Sequence, residues 1–379
     1  MKSTGDLQLL KRINRSVLLR LIRSNPNLSR ARLADMSGLT KSTVSALVRE
    51  LIDTDWLTEA SSTVAAPGMG RPSTPLNINH DKRMLMGIEI AVECVRLVCV
   101  SLSGTIQLEQ EIPLLEHSPT AACGVVVEAA QAMYAETQAR NFLLTGLGLC
   151  LPGAVSEDAG IVRLAPNLGW REVPFLAMFV QALARSGFPS VPVHLQNDAD
   201  AAALGEYEFG NRDSEDPLIF INCDVGVGAG VVLNDRLFTG SAGTAGEIGH
   251  TILQLDGRRC SCGRSGCVET FVGARALRQT TDIETAGRYL GVMLQNLDAM
   301  FNPRVLVLGG RSCIDIPGLT QSAQATLERY AREAGLRPPE VRVARYGAQA
   351  AAVGAAALVL HRFLRPLIKD ADHTLQSDF

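Results

Sequence analysis

The sequence predicts a multidomain chain, with a small N-terminal unit of three helices and a hairpin followed by a larger α/β body in two halves. Three observations carry this prediction. At 379 residues the chain exceeds what one hydrophobic core usually supports. Its apolar residues keep helical spacing up to about residue 55 and then change, after residue 84, to strands alternating with helices. Its charge divides in the same region: residues 1–80 hold 11 Lys/Arg against 6 Asp/Glu (+5), residues 81–379 hold 25 against 33 (−8), and these sum to −3. The expected domains are 1–80, 81–200 and 201–379, with the C-terminal helix free to return to the first half.

A hydrophobic fraction of 46% with 20% charged residues fits a folded globular protein. No run approaches the roughly 20 apolar residues of a membrane helix, and Met1 to Leu10 lacks the apolar segment of a signal peptide, so the expected location is cytoplasmic. Nine cysteines, an odd number, read as reduced thiols with some serving as metal ligands.

In the N-terminal unit, Asn14 offers an N-cap and Val17, Leu18, Leu21 and Ile22 recur at helical spacing, giving a first helix to about Ser24. Ser29 caps a short second helix whose apolar side is Leu33, Ala34 and Met36, and Gly38 supplies the turn that follows, with Leu39 packed in it. A third helix begins at Thr40, with Val44, Leu47, Val48 and Leu51 on one face and Lys41, Ser42, Thr43, Ser45 and Arg49 on the other. That is the pattern of a helix-turn-helix, whose short hydroxyl and basic side chains contact base edges and phosphates in a major groove. The plainer alternative is an ordinary three-helix bundle. Trp56 to Thr58 and Thr74 to Ile78 read as strands of a wing around a polar loop at 60–70. Gly68-Met69-Gly70-Arg71-Pro72 would present Arg71 to a narrow minor groove, or form a simple interdomain turn. The basic excess supports the nucleic-acid reading, although a chance fluctuation gives the same count.

In the body, residues 84–90 and 95–102 read as paired strands, Ala121 to Thr137 as a helix, and Leu144 to Cys150 and Val193 to Leu195 as strands. Leu218 to Cys223, Gly230 to Leu233 and Val305 to Leu308 are further strands, and Ala286 to Phe301 is a long helix. A cleft between the halves is the expected ligand site. His250, Cys260, Cys262 and Cys267 place one imidazole and three thiols within eighteen residues, among Gly257, Gly263 and Gly266, which allow tight turns. Such a set forms a complete tetrahedral shell for Zn2+, with no open position for a catalytic water, so the metal would be structural. Beside it stand Gly246-Glu247-Ile248-Gly249-His250, and earlier Gln196-Asn197-Asp198-Ala199-Asp200 follows a short apolar strand. Carboxylates and an amide at strand ends offer the directed hydrogen bonds that sugar hydroxyls require, although each alone could be a turn residue.

These motifs, taken in order with Leu151-Pro152-Gly153, Ala165-Pro166-Asn167-Leu168 with Trp170, Gly226-Val227-Gly228-Ala229-Gly230, Cys260-Ser261-Cys262-Gly263 and Gly266-Cys267-Val268-Glu269, closely resemble the ROK family of repressors, open reading frames and kinases. The resemblance spans essentially the whole chain, because the repressor branch carries a winged helix-turn-helix in front. It implies the two-lobed, actin-like ATPase fold of sugar kinases. It implies that Asp198 matches the kinase general base. Asn197, Glu247, His250 and Glu269 fall on family positions that hydrogen-bond the sugar, with Gly153 along the pocket and His250 also on the zinc site.

The chain departs from the kinases at both phosphate loops. Where kinases have Asp-x-Gly-Gly-Thr, it reads Glu89-Ile90-Ala91-Val92-Glu93, and where they have Gly-Thr-Gly it reads Asp224-Val225-Gly226. Small residues that allow close approach to phosphates are replaced by charge. The expectation is therefore no enzyme but a sugar-responsive repressor, homodimeric on a palindromic DNA operator and released by a sugar or sugar phosphate. An ATP-dependent sugar kinase with a DNA-binding extension, and a repressor controlled by a protein partner, are the alternatives.

Overall fold

The computed structural model describes residues 7–60, 74–210, 215–241 and 243–366. Arg71 and the 60–70 loop beyond residue 60 lie outside the described residues.

The N-terminal unit comprises α1 (Leu7–Ser24), α2 (Arg30–Ser37), α3 (Lys41–Asp53) and the antiparallel strands β1 (Leu57–Glu59) and β2 (Leu76–Ile78). The Ser29 hydroxyl caps α2 by accepting from the Arg32 amide, Gly38 ends that helix at φ +70°, and Thr40 caps α3 by accepting from the Thr43 amide. Val44, Leu47, Val48 and Leu51 are all buried, as their spacing requires. Two expectations fail here. Helix α1 starts at Leu7, so Asn14 is an interior residue and caps nothing. Met36 is 40% exposed and does not join Leu33 and Ala34 inside.

The body begins with β3 (Arg83–Ile90), β4 (Cys94–Ser101), β5 (Ile106–Pro113), α4 (Pro119–Ala139) and β6 (Leu143–Leu151). A small sheet of β7 (Ala154–Ser156), β8 (Ile161–Ala165) and β9 (Trp170–Val173) follows, then α5 (Phe175–Arg185), β10 (Val193–Asn197) and α6 (Asp198–Glu208). The second half holds β11 (Leu218–Cys223), β12 (Val227–Leu233), β13 (Arg236–Leu237), α7 (Glu269–Val272), α8 (Ala274–Leu277), α9 (Ile283–Phe301), β14 (Val305–Gly309), α10 (Arg311–Asp315), α11 (Pro317–Glu333), β15 (Glu340–Val343) and α12 (Ala350–Leu364).

The two main sheets repeat one topology. The first has the order β10-β6-β3-β4-β5 and the second β15-β14-β11-β12-β13. In each, the first strand lies centrally, pairs antiparallel with the second and parallel with the fourth, and the fifth extends the parallel side. Each half then ends in a helix that packs between the sheets: α6 lies against β11 and β12 of the second half, and α12 against β3 and β6 of the first.

These two helices cross with almost no side chain between them. A Cβ on Gly354 would sit 2.0 Å from the Ala201 carbonyl oxygen, and one on Gly205 of α6 would sit 3.0 Å from the Gly354 Cα; on another side of α12, one on Gly148 of β6 would sit 1.7 Å from the Ala355 carbonyl oxygen. The small residues of α12, Ala-Ala-Ala-Val-Gly-Ala-Ala-Ala, let it fit this gap. Gly347–Leu364 is long and apolar enough to cross a membrane by length and composition, and most of it is buried here between the two sheets. Its other side joins Leu18, Leu19, Ile22, Trp56 and Leu57 of the N-terminal unit to Leu85, Val98 and Val100 in one continuous apolar cluster.

Candidate functional site

The exposed face of α3 carries Thr40, Lys41, Ser42, Thr43, Ser45 and Arg49, of which Thr43 and Ser45 are half-buried and the others exposed. Thr40 Oγ1 lies 2.9 Å from both the Ser42 and the Thr43 hydroxyls. The face therefore starts with a compact hydroxyl cluster and ends on a guanidinium, on the helix that follows the turn.

In the body, the site is built where strand β10 runs into helix α6. Asn197 caps that helix: its Oδ1 accepts from the amides of Ala199 (2.8 Å) and Asp200 (3.1 Å), while its Nδ2 donates to the Gly153 carbonyl (2.9 Å). Most of its side chain is thus spent on capping α6 and holding the turn after β6. Gly153 sits at φ +123°, where a Cβ would collide with the Leu164 carbonyl, so the backbone there requires glycine.

Asp198 opens α6. Its Oδ1 accepts from the Ala199 amide (2.9 Å) and its Oδ2 from Asn222 Nδ2 on β11 (3.2 Å), so the carboxylate bridges the two halves. Burial pushes its pKa up to about 6, and the charges of Asp224 and Glu247 add to the rise. Burial likewise raises Glu247, with Glu269 adding to it. Glu269 reaches the same region from α7, its Oε2 accepting from the Val227 amide (3.2 Å) and its Oε1 from the Ser261 hydroxyl (3.5 Å). Asp200 is more deeply buried than any of these, at 4% exposed; burial holds its carboxyl well above the usual range and its Oδ1 has no hydrogen-bond partner. Its place in the Asn-Asp-Ala-Asp string gave no sign of this.

His250, Cys260, Cys262 and Cys267 converge, their ligand atoms all lying within 4.8 Å of one another. Cys260 Sγ is 3.7 Å from His250 Nδ1, and Cys262 Sγ is 3.7 Å from Cys267 Sγ. Those edges match a tetrahedron around a cation with Zn–S bonds of about 2.3 Å, whose corners lie about 3.7 Å apart. The Arg264 backbone amide helps hold the Cys262 thiol down at about 6, whereas burial pushes Cys267 up to about 12. A bound cation would keep both as thiolates. Because Nδ1 faces the sulfurs, Nε2 faces outward, 3.9 Å from Glu247. The donor set thus fits a closed structural site with its imidazole edge turned to the carboxylate cluster.

The hairpin between β3 and β4 and the hairpin between β11 and β12, which carry the two stretches expected from the sequence to be altered phosphate loops, are tied together. Glu93, between β3 and β4, accepts from Arg311 (3.3 Å), whose Nε is 3.5 Å from Asp224 between β11 and β12. Behind them Glu89, raised to about 7 by burial, pairs with Arg96 (3.1 Å), which also donates to Glu111. Sequence reasoning found the acids but missed Arg96 and Arg311. Arg311 is 218 residues from Glu93, and its only signal was its position after Gly309-Gly310.

The ROK family profile matches residues 85–287 and 280–362, and a winged helix-turn-helix DNA-binding profile matches residues 12–58. The chain belongs to the ROK family. Its ROK relatives include the xylose repressor of Bacillus subtilis, 28% identical over 385 residues, covering 95% of this chain and 98% of that one. A ROK family transcriptional regulator described as a homolog of the E. coli MLC protein has the same fold, with a TM-score of 0.76 at 24% identity over 94% of this chain and 97% of its own. A ROK glucokinase from Streptomyces griseus, solved with glucose and AMPPNP, matches with a TM-score of 0.61 at 26% identity, covering 73% of this chain and 98% of that one. The glucokinase covers about three quarters of this chain, whereas the regulator and the repressor extend over nearly all of it.

Proposed function

We propose that this ROK protein is a sugar-responsive DNA-binding transcriptional repressor, working in the cytoplasm as a homodimer and released from its operator by a sugar or sugar derivative. The observation that carries this reading is the joining, in one apolar cluster, of a winged helix-turn-helix to a sugar-kinase-like body. Thr40, Lys41, Ser42, Thr43, Ser45 and Arg49 would meet the major groove, and Arg71 the minor groove. Asn197, Asp198, Glu247, His250 and Glu269 would hold sugar hydroxyls, with Gly153 lining the pocket. His250, Cys260, Cys262 and Cys267 would hold a structural Zn2+, which would brace the segment carrying Glu247 and Glu269 without supplying a catalytic water. A single recognition helix spans few base pairs, so a dimer on a palindromic site is required for useful affinity.

Catalysis is disfavoured at the phosphate loops. If the β3–β4 and β11–β12 hairpins are the family's phosphate loops, as the resemblance implies, Glu93 and Asp224, joined by Arg311, would occupy the place where ATP phosphates need small residues and backbone amides. One observation favours the kinase alternative: Asp198, at about 6, is poised as a general base.

The test is an anisotropy titration of DNA flanking the protein's own gene, with and without D-xylose, D-glucose and N-acetylglucosamine, beside a coupled ADP-release assay. Sequence-specific binding relieved by one sugar, without ADP release, is the expected result. Weak, sequence-independent binding that persists when residues 1–80 are removed overturns the repressor reading, and robust sugar-dependent ADP release establishes the kinase. Specific binding indifferent to all three sugars favours control by a protein partner.

A further inference from the structure

Helix α6 begins at Asp198, among the residues proposed above to hold sugar, and ends about 15 Å away, at 1.5 Å per residue, on Glu208, whose residue is 1% exposed. Around Glu208 four parts of the molecule meet. Arg23 of α1 donates to its carboxylate from Nη1 (2.9 Å) and to its backbone carbonyl from Nη2 (3.0 Å). From α12, His361 Nδ1 lies 2.8 Å from Glu208 Oε1, and Arg365 donates to that same oxygen. Arg365 Nε also donates to Asp235 (2.8 Å), in the turn between β12 and β13 of the second half; Asp235 in turn accepts from the Tyr207 hydroxyl (2.8 Å) and faces Arg20 of α1 (3.4 Å).

We infer that α6 and the buried Glu208 hub at its end carry the state of the pocket to the DNA-binding unit, so that Arg23 is the contact through which ligand repositions α1. This inference rests on the sugar-responsive reading above and names its route. Both ends of α6 are fixed by directed bonds, to Asn197 and Gly153 at one end and to Arg23 at the other, and the helix between them lies in a packed interior that does not compress. A displacement of Asp198 by a ligand therefore moves Glu208, and Arg23 follows it because two of its nitrogens are bonded to that one residue. Movement of the second half reaches the same point through Asp235. A small cavity lies beside Arg23, between Leu19, Trp56, Leu102, Leu360 and Leu364. Outside the hub, Phe363 stacks on Trp56 at 4.1 Å, and Arg83, on β3, lies over Trp56 while donating two hydrogen bonds to the Thr54 carbonyl (2.8 and 2.6 Å). These contacts join the unit to β3 and α12 and include no bond to α6.

The test is Arg23→Met in the full chain, which keeps the aliphatic stem and removes the guanidinium. Operator affinity is measured by anisotropy with and without whichever of D-xylose, D-glucose and N-acetylglucosamine the wild type responds to, and sugar affinity by calorimetry. Each affinity taken alone should stay within about threefold of wild type, while the sugar-induced ratio of operator affinities falls to about one or two from the roughly 5–150-fold typical of such coupling. Arg83→Gln, which touches the same unit outside the hub, should keep the wild-type ratio. Arg23→Lys, which cannot reach both oxygens of Glu208 at once, should give an intermediate ratio and serves if the Met variant does not fold. A wild-type ratio in both Arg23 variants, or an equal loss in Arg83→Gln, overturns the hub while leaving the sugar-responsive reading intact. A wild type that binds operator and ignores all three sugars overturns that reading and its route together.

Discussion

Replacing Asp198 by Asn should make the unliganded protein more stable while weakening its hold on sugar. The carboxyl is pushed from an ordinary 3.8 up to about 6, chiefly by burial. At neutral pH the ionised form therefore costs up to about 3 kcal/mol, at roughly 1.4 kcal/mol per pH unit. The side chain is only half-buried, so solvent screens part of that cost, and an amide oxygen replaces only one of the two acceptor oxygens that serve Ala199 and Asn222. A net gain of about 1–2 kcal/mol remains, or a few degrees in unfolding temperature. Because the folded-state value lies above the unfolded one, the cost of the carboxylate is absent below about pH 4, grows between pH 4 and 6, and is complete above that. Thermal unfolding of both proteins at pH 8 and pH 4 reads the difference, which should be present at the first and gone at the second. A variant that is less stable at pH 8, or equally favoured at both, refutes the assignment of a strained carboxylate at the head of α6.

Purified protein should contain about one zinc per chain, and Cys262→Ser should lower both the metal content, measured by mass spectrometry, and the unfolding temperature, because a three-ligand site no longer closes the shell. Gly354→Ala should destabilise by about 1–3 kcal/mol in thermal unfolding: helix propensity favours Ala by about 1 kcal/mol, but the new Cβ would lie 2.0 Å from the Ala201 carbonyl. An unchanged or raised melting temperature would sink that reasoning. Arg49→Ala and Lys41→Ala should each weaken operator binding by about 1 kcal/mol, and where the lost contact is to phosphate, the salt dependence should flatten by about one ion; full affinity in both variants removes α3 from the interface.

The helix-turn-helix was legible because its signals are local. Ser29, Gly38 and Thr40 mark boundaries within a few residues of where they act, and the apolar face of α3 repeats at 3.6 residues. The start of α1 was not legible, since Leu7 and Leu10 are 82% and 51% exposed and give its first turns no buried face, while Asn14 imitates a cap. The C-terminal helix was expected, but the bounds of α12 were not legible for the opposite reason: it is apolar all round and buried on nearly every side, so no period marks where it starts. Strand β5 is polar and largely exposed, and gave no alternation strong enough to read. In the body site, the Cys/His cluster was readable from spacing alone, whereas Arg311, Arg96 and Arg23 act on partners that only the fold brings near. A charged residue carries no mark in sequence of which distant acid it will meet.

The exchange of terminal helices between the halves ties synthesis to docking. The first sheet has its strands once residue 197 has been made, yet one of its faces stays open until residues 350–364 arrive to cover β3 and β6. At ribosomal rates of about 5–20 residues per second, the N-terminal unit waits many seconds for Phe363 and Arg365, the groups against which Trp56 and the Glu208 hub settle. A chain broken off before that point keeps α3 but lacks part of the surface on which the N-terminal unit docks, so docking is deferred until the last helix described has been made.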